Sequence, residues 1–213
     1  METTQKQKLL FIGDSITDVH RNRANPDSLG SGYVSMIQQE FQRRGEAECY
    51  QVINRGISGN TMTDLVERWH KDCVSLQPDV VTILIGINDT WQNVGDDSLF
   101  GTEKTAALFK MCYTHLLASL RNQSQARIIL LEPFVFPFPE DRKMWRKDLD
   151  PKIAIVRELA DNFGAECIGL DRYLNEVGEE VGYEALSEDG VHPTGKGHEL
   201  IAEAWMQQFE KGK

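Results

Sequence analysis

Val80-Val81-Thr82-Ile83-Leu84-Ile85-Gly86-Ile87-Asn88-Asp89 is the stretch on which the fold turns. From Val80 to Ile85 every residue but Thr82 is apolar, and polar and apolar sides do not alternate. A run of that kind reads as a strand covered on both faces, as in a parallel sheet sandwiched by helices. Gly86 ends the run, and Asn88 stands just beyond its carboxyl end.

Outward from this strand the pattern repeats. Leu9-Leu10-Phe11-Ile12, Tyr50-Gln51-Val52-Ile53, Ile128-Ile129-Leu130-Leu131 and, more weakly, Cys167-Ile168-Gly169-Leu170 read as further strands. Helical stripes lie between them. Tyr33, Ile37 and Phe41 recur at helical spacing ahead of Gly45. Leu65, Trp69, Cys73 and Leu76 follow a start at Thr61 and Asp64 that resembles a capping box. Phe109, Cys112, Leu116 and Leu120 form another stripe; Ile153, Val156, Leu159 and Phe163 form the next, closed by Gly164. Leu200, Ile201, Ala204, Trp205 and Phe209 form the last. Alternating strands and helices predict an α/β protein: three layers, α/β/α, around a flavodoxin-like five-stranded parallel sheet, in a single domain over residues 1–213. Two connections are long, residues 89–102 and 133–150. The second mixes Pro133, Pro137 and Pro139 with Phe134, Phe136, Phe138 and Trp145. It is expected to border a site, through Phe136 and Trp145.

Composition narrows the function. With 213 residues, 40% hydrophobic, the chain can build an ordinary core. A formal charge of −10 argues against nucleic acid or an anionic membrane as partner, since both attract basic surfaces. The polar first residues hold no apolar core of signal-peptide length, and no run is long enough to span a bilayer, so a cytoplasmic location is expected. Cys49, Cys73, Cys112 and Cys167 lack metal-ligand spacing and are expected to be buried, reduced thiols. Gly30-Ser31-Gly32 lacks the third glycine of a dinucleotide fingerprint.

The chemistry gathers at strand ends, where open parallel sheets bind ligands. Ser15 follows the first strand in Gly13-Asp14-Ser15-Ile16, Gly59 follows the second, Asn88 the third, and Asp189-Gly190-Val191-His192-Pro193 precedes the last helix. Each motif alone has a plain reading. Ser15 could cap a helix, Gly59 serve a tight turn, Asn88 close an Asx-turn, and His192 sit in a surface turn. Converging on one edge, they supply a nucleophile, oxyanion donors, a base and its orienter for acyl transfer. His20, His70, His115 and His198 read as helix-surface or packing residues. Trp91 could stack on a sugar ring or pack beneath its loop. Arg21, Arg23 and Arg55 could meet a polar substrate or lie in salt-bridged surface, and Arg55 is the one carried forward as a candidate contact.

On these blocks the chain resembles the SGNH, or GDSL, hydrolase superfamily. Ser15, Gly59, Asn88 and His192 stand in its four blocks, with Asp189 three residues before the histidine. The first block reads Gly-Asp-Ser-Ile where the family name has leucine, and Asn60 stands where many relatives have an acid. The stretches from Val52 to Asn60, Leu84 to Asp89 and Asp189 to Thr194 are similar to the branch of acetylxylan-esterase-like proteins. The resemblance implies the SGNH hydrolase fold and ester hydrolysis without metal or cofactor. Ser15, His192 and Asp189 would form a triad, and Ser15, Gly59 and Asn88 an oxyanion hole. The substrate would be a small O-acyl ester, such as an acetylated sugar. A lysophospholipase or thioesterase for longer chains is the alternative within the enzyme class; a non-catalytic flavodoxin-like binding module is the alternative outside it.

Overall fold

The computed structural model describes residues 6–212. Five strands, β1 (Gln7–Gly13), β2 (Tyr50–Gly56), β3 (Val80–Leu84), β4 (Arg127–Leu131) and β5 (Glu166–Ile168), form one sheet in the order β2-β1-β3-β4-β5. All four pairings are parallel. Strand order reverses between β1 and β3, the kind of switch point beyond which doubly wound folds bind ligands. Gly13 is in register with both Gly56 and Leu84, so the ends of β2, β1 and β3 lie side by side.

Side-chain alternation along β1 builds two cores. Leu9 and Phe11 face one layer, where α2 (Tyr33–Arg43) and α8 (Gly195–Lys211) supply Tyr33, Ile37, Phe41, Trp205 and Phe209. Leu10 and Ile12 face the other, where α3 (Met62–Asp72) and α5 (Glu103–Gln123) supply Leu65, Trp69, Leu116 and Leu120. Thr82, the polar break in the central strand, is buried and accepts a hydrogen bond from Trp205 Nε1 at 2.8 Å. A buried indole N–H left without a partner would cost on the order of 1–3 kcal/mol, so the hydroxyl there complements the tryptophan. Thr61 caps α3 as its spacing predicts: its amide donates to Asp64 and its hydroxyl accepts from the Asp64 amide.

Several local expectations need correction. α6 (Arg146–Phe163) begins ahead of Pro151, and a 3₁₀ turn (Glu140–Trp145) precedes it, so the second long loop is shorter than read. Buried Trp145 and Leu149 pin that early start into the core. The first long loop likewise begins inside α4 (Ile87–Trp91). Leu170 does not end the fifth strand but opens α7 (Leu170–Val181), a helix absent from the sequence reading. Cys49 is exposed, because it lies in the turn before β2; Cys73 and Cys112 are buried and Cys167 is half-buried. Among the described residues, no helix is long and apolar enough to cross a membrane.

Candidate active site

The helix α1 (Ser15–Asp18) starts one residue past β1, and its cap is Asp14, whose carboxylate accepts from the Ile16 amide at 3.0 Å. Capping therefore falls to Asp14 and leaves the Ser15 hydroxyl free for another partner. That partner is His192: Ser15 Oγ lies 3.0 Å from His192 Nε2. On the far side of the ring, His192 Nδ1 lies 2.6 Å from Asp189 Oδ2. An ionised carboxylate only accepts, so Nδ1 carries the ring proton and Nε2 turns its lone pair toward the serine. Burial acts to raise the Asp189 pKa, but bonds from the His192 ring and from the amides of His192 and Val191 outweigh it, and the group is held below the usual aspartate range. Asp189 thus stays charged, the state an orienting partner requires.

The loop carrying this pair is braced from inside. Ser187 is buried, donates to the His192 carbonyl at 2.8 Å and accepts from the Gly190 amide at 2.9 Å. Residues 133–150 brace it from outside. The Phe136 amide donates to the Gly190 carbonyl at 2.9 Å, and Arg142 Nε donates to the Asp189 carbonyl at 3.1 Å. This segment does border the site, but not through Phe136 or Trp145, which are both buried in the core. Arg142 is the residue that reaches the site. Its guanidinium lies 4.3 Å from the Trp145 ring centroid and 5.3 Å from that of Trp91. Nothing marked Arg142 in the sequence beyond its place in an aromatic-rich stretch; its pairing with Trp91 joins the 3₁₀ turn to the end of α4, far apart in the chain.

Asn88 sits in the first turn of α4 and closes no Asx-turn. Its Nδ2 donates to the Asn60 carbonyl at 3.0 Å, which leaves a second amide hydrogen. Gly59 is exposed with φ +85°, a conformation L side chains rarely adopt, and no atom crowds the place a Cβ would take. Backbone geometry rather than space calls for glycine there. Among the described residues, the amides of Ser15 and Gly59 have no hydrogen-bond acceptor. Asp14, next to Ser15 in the chain, has one buried carboxylate oxygen unpartnered. Burial pushes its pKa up to about 7, against the Ile16 amide and His192, which lower it.

Trp91 is 36% exposed, and its ring centroid lies 5.9 Å from that of His192 and 5.2 Å from that of Trp145. Arg55 donates to the carbonyls of Pro26 and Asn54, and Arg23 pairs with Asp18, so both are engaged with protein groups. A cleft of about 670 Å³ opens beside Ser15 and His192, lined among others by His20, Ser58, Glu188 and Thr194. His20 is not on a helix: it follows α1 with φ +59°, and its Nδ1 pairs with Ser31 Oγ at 3.0 Å. His198 is buried on α8, accepts from the Tyr33 amide at 3.3 Å and touches the same cleft.

A parallel sheet with this switch point, bearing a Ser-His-Asp constellation on its edge, defines a class of ester hydrolases, and the sequence comparison agrees. Residues 11–200 match the GDSL-like Lipase/Acylhydrolase family, and the chain belongs to it. It is a carboxylic ester hydrolase of that family. It is 35% identical to an acetylxylan esterase of Geobacillus stearothermophilus, over 98% of this chain and 96% of the relative. The crystal structure of an acetylxylan esterase from that organism superposes with a TM-score of 0.83 at 33% identity, covering 97% of this chain and 95% of the other. A putative GDSL-like lipase from Parabacteroides merdae superposes with a TM-score of 0.85 at 31% identity, covering 97% and 98%.

Proposed function

We propose that the protein is a serine esterase that removes acetyl groups from carbohydrate hydroxyls, with Ser15, His192 and Asp189 as its triad. The observation that carries this reading is the unbroken relay at 3.0 and 2.6 Å from Ser15 through His192 to Asp189, set at the switch point of the sheet. Ser15 Oγ attacks the acetyl carbonyl while His192 Nε2 takes its proton. The oxyanion is held by the amides of Ser15 and Gly59 and by the Asn88 side chain. Collapse expels the sugar alkoxide, which takes the proton back from His192. Water, deprotonated by His192, then attacks the acetyl-enzyme and releases acetate and free Ser15.

Two features support a carbohydrate leaving group. Relatives similar over nearly the whole chain are named for acetylxylan. The cleft beside His192, the group that must protonate the leaving oxygen, is large enough for a sugar and offers His20, Ser58, Glu188 and Thr194 as polar partners. A long-chain acyl hydrolase would need apolar side chains facing the site, but of the aromatic residues in 133–150, Phe134, Phe136 and Trp145 are buried in the core and only Phe138 is half-buried.

An ester panel tests the substrate. Acetylated xylo-oligosaccharides and p-nitrophenyl acetate are expected to be turned over with a far higher kcat/KM than p-nitrophenyl octanoate. Preference for the octanoyl ester would overturn the assignment. Asn88→Ala is expected to lower kcat by about 10²–10³ with little change in KM, because its bond tightens only as charge develops. A rise in KM at constant kcat would make Asn88 a substrate contact instead.

A further inference from the structure

Gly59 presents a difficulty for any oxyanion hole. It is exposed, carries no side chain, and nothing packs on it. A donor that wanders by an ångström loses most of its catalytic value. Its neighbours on both sides, however, are tethered to charged groups, buried Asp18 on one side and half-buried Arg68 on the other. Asp18 is the last residue of α1, the single helical turn that opens with Ser15. Its Oδ2 accepts from the Ser58 amide at 2.9 Å and from the Ser58 hydroxyl at 2.8 Å. Arg23 donates to the same oxygen, and the Arg21 guanidinium lies 3.8 Å from Oδ1. Gly56, just upstream, lies so close to α1 that a Cβ would fall 2.3 Å from the Asp18 nitrogen.

Arg68 of α3 holds the other side. Its Nε donates to Asn60 Oδ1 at 2.6 Å, while its remaining nitrogens donate to the carbonyls of Gly13 at 2.9 Å and Arg55 at 2.8 Å. One planar fork thus links the ends of β1 and β2 to the residue after Gly59. The Asn60 carbonyl is also the acceptor for Asn88.

We propose that Asp18 and Arg68 are positioning residues that fix the Gly59 amide relative to Ser15 and Asn88, Asp18 through Ser58 and Arg68 through Asn60. The proposal rests on the oxyanion-hole reading above. It makes the serine and two of its three oxyanion donors parts of one hydrogen-bonded unit, in which Asp18, Asn60 and Arg68 lie outside the lining of the cleft and only Ser58 borders it.

The test compares Asp18→Asn, Ser58→Ala, Asn60→Ala and Arg68→Met with the parent enzyme on p-nitrophenyl acetate, and against methylboronic acid as a tetrahedral inhibitor. Asp18→Asn and Asn60→Ala are each expected to lower kcat by about 10- to 100-fold with KM within about twofold. The inhibition constant for the boronic acid should rise by the same factor as kcat/KM falls. Ser58→Ala, which keeps the backbone tether, should lose less than Asp18→Asn. Parent-like kcat in Asp18→Asn and Asn60→Ala, whatever their melting temperatures, overturns the proposal, as does a loss confined to KM. Ser58→Ala and Asn60→Ala each remove one tether only, so they carry the test if Asp18→Asn or Arg68→Met fails to fold. Asn88→Ala, run alongside, separates the two readings. If it keeps parent kcat, the oxyanion assignment itself fails; if it alone loses kcat, only the positioning roles fail.

Discussion

Ser15→Ala is expected to lower turnover of p-nitrophenyl acetate by a factor on the order of 10⁴ or more, because the nucleophile and its base act as one unit. Stability should hardly change. Asp14 caps α1 through the Ile16 amide, and the Ser15 hydroxyl pairs with His192 at the protein surface. Losing one exposed hydrogen bond is worth about 1 kcal/mol or less. Circular dichroism and melting temperature should therefore match the parent. A serine-directed organophosphonate should add its mass to the parent and not to the variant. Turnover near the parent rate, or labelling of the variant at the same site, would sink the assignment.

Lys152→Met is expected to produce the largest loss of stability. Lys152 and Asp148 are both buried on α6 and ion-paired. Asp148 also accepts from Thr90 at 2.8 Å, Asn93 at 3.3 Å and the Gly101 amide at 2.7 Å. Removing the cation leaves a buried carboxylate uncompensated, which costs about 3–5 kcal/mol. For a chain of this size the melting temperature should fall by roughly 6–20 °C. The sign of the pH dependence follows from Asp148. Burial acts to raise its pKa, but Lys152 and the other donors outweigh this and hold it below 3.8, the ordinary value. In the parent, that stabilisation is present above the unfolded pKa and is lost as pH falls through the lower folded value. In the variant the orphaned carboxylate protonates more readily, so its deficit should narrow on acidification. A melting temperature within about 2 °C of the parent at pH 7 would refute the argument. Thr90 and Asn93 tie the pair to α4 and its exit, so it also underpins the element that carries Asn88.

The legible parts of the fold were those with a local cause. Val80 to Ile85 reads as a covered strand because apolar residues on both faces admit few other environments. Thr61 with Asp64, and Gly45 and Gly164 beyond their stripes, mark helix ends through bonds and φ values spanning a few residues. Elsewhere the signal was long-range. Cys49 sits beside a strand in sequence but in a turn in space. α7 carries a buried stripe, Leu170 and Leu174, that gains meaning only against α8. Phe136 and Trp145 look like a substrate wall because aromatic residues in a loop can be either wall or core, and only packing decides.

The site divides the same way. Residue type and chain position alone picked out Ser15, Gly59, Asn88, Asp189 and His192, since each motif places a functional group at the end of an element. Sequence could not say that Asp14 rather than Ser15 caps α1, that Arg142 reaches the Asp189 carbonyl between two tryptophans, or that Asp18 and Arg68 flank Gly59. The links from Asp18 to Ser58, Arg68 to Gly13 and Arg142 to Asp189 each join residues 40 or more positions apart, and a single sequence carries no record of such distances. Periodicity and punctuation thus determined the sheet, its longer amphipathic helices other than α7, and the edge where chemistry gathers, because they follow from short-range sterics and burial. Only the tertiary structure decided which charged groups hold that edge in place, because hydrogen bonding between distant segments depends on how the layers pack.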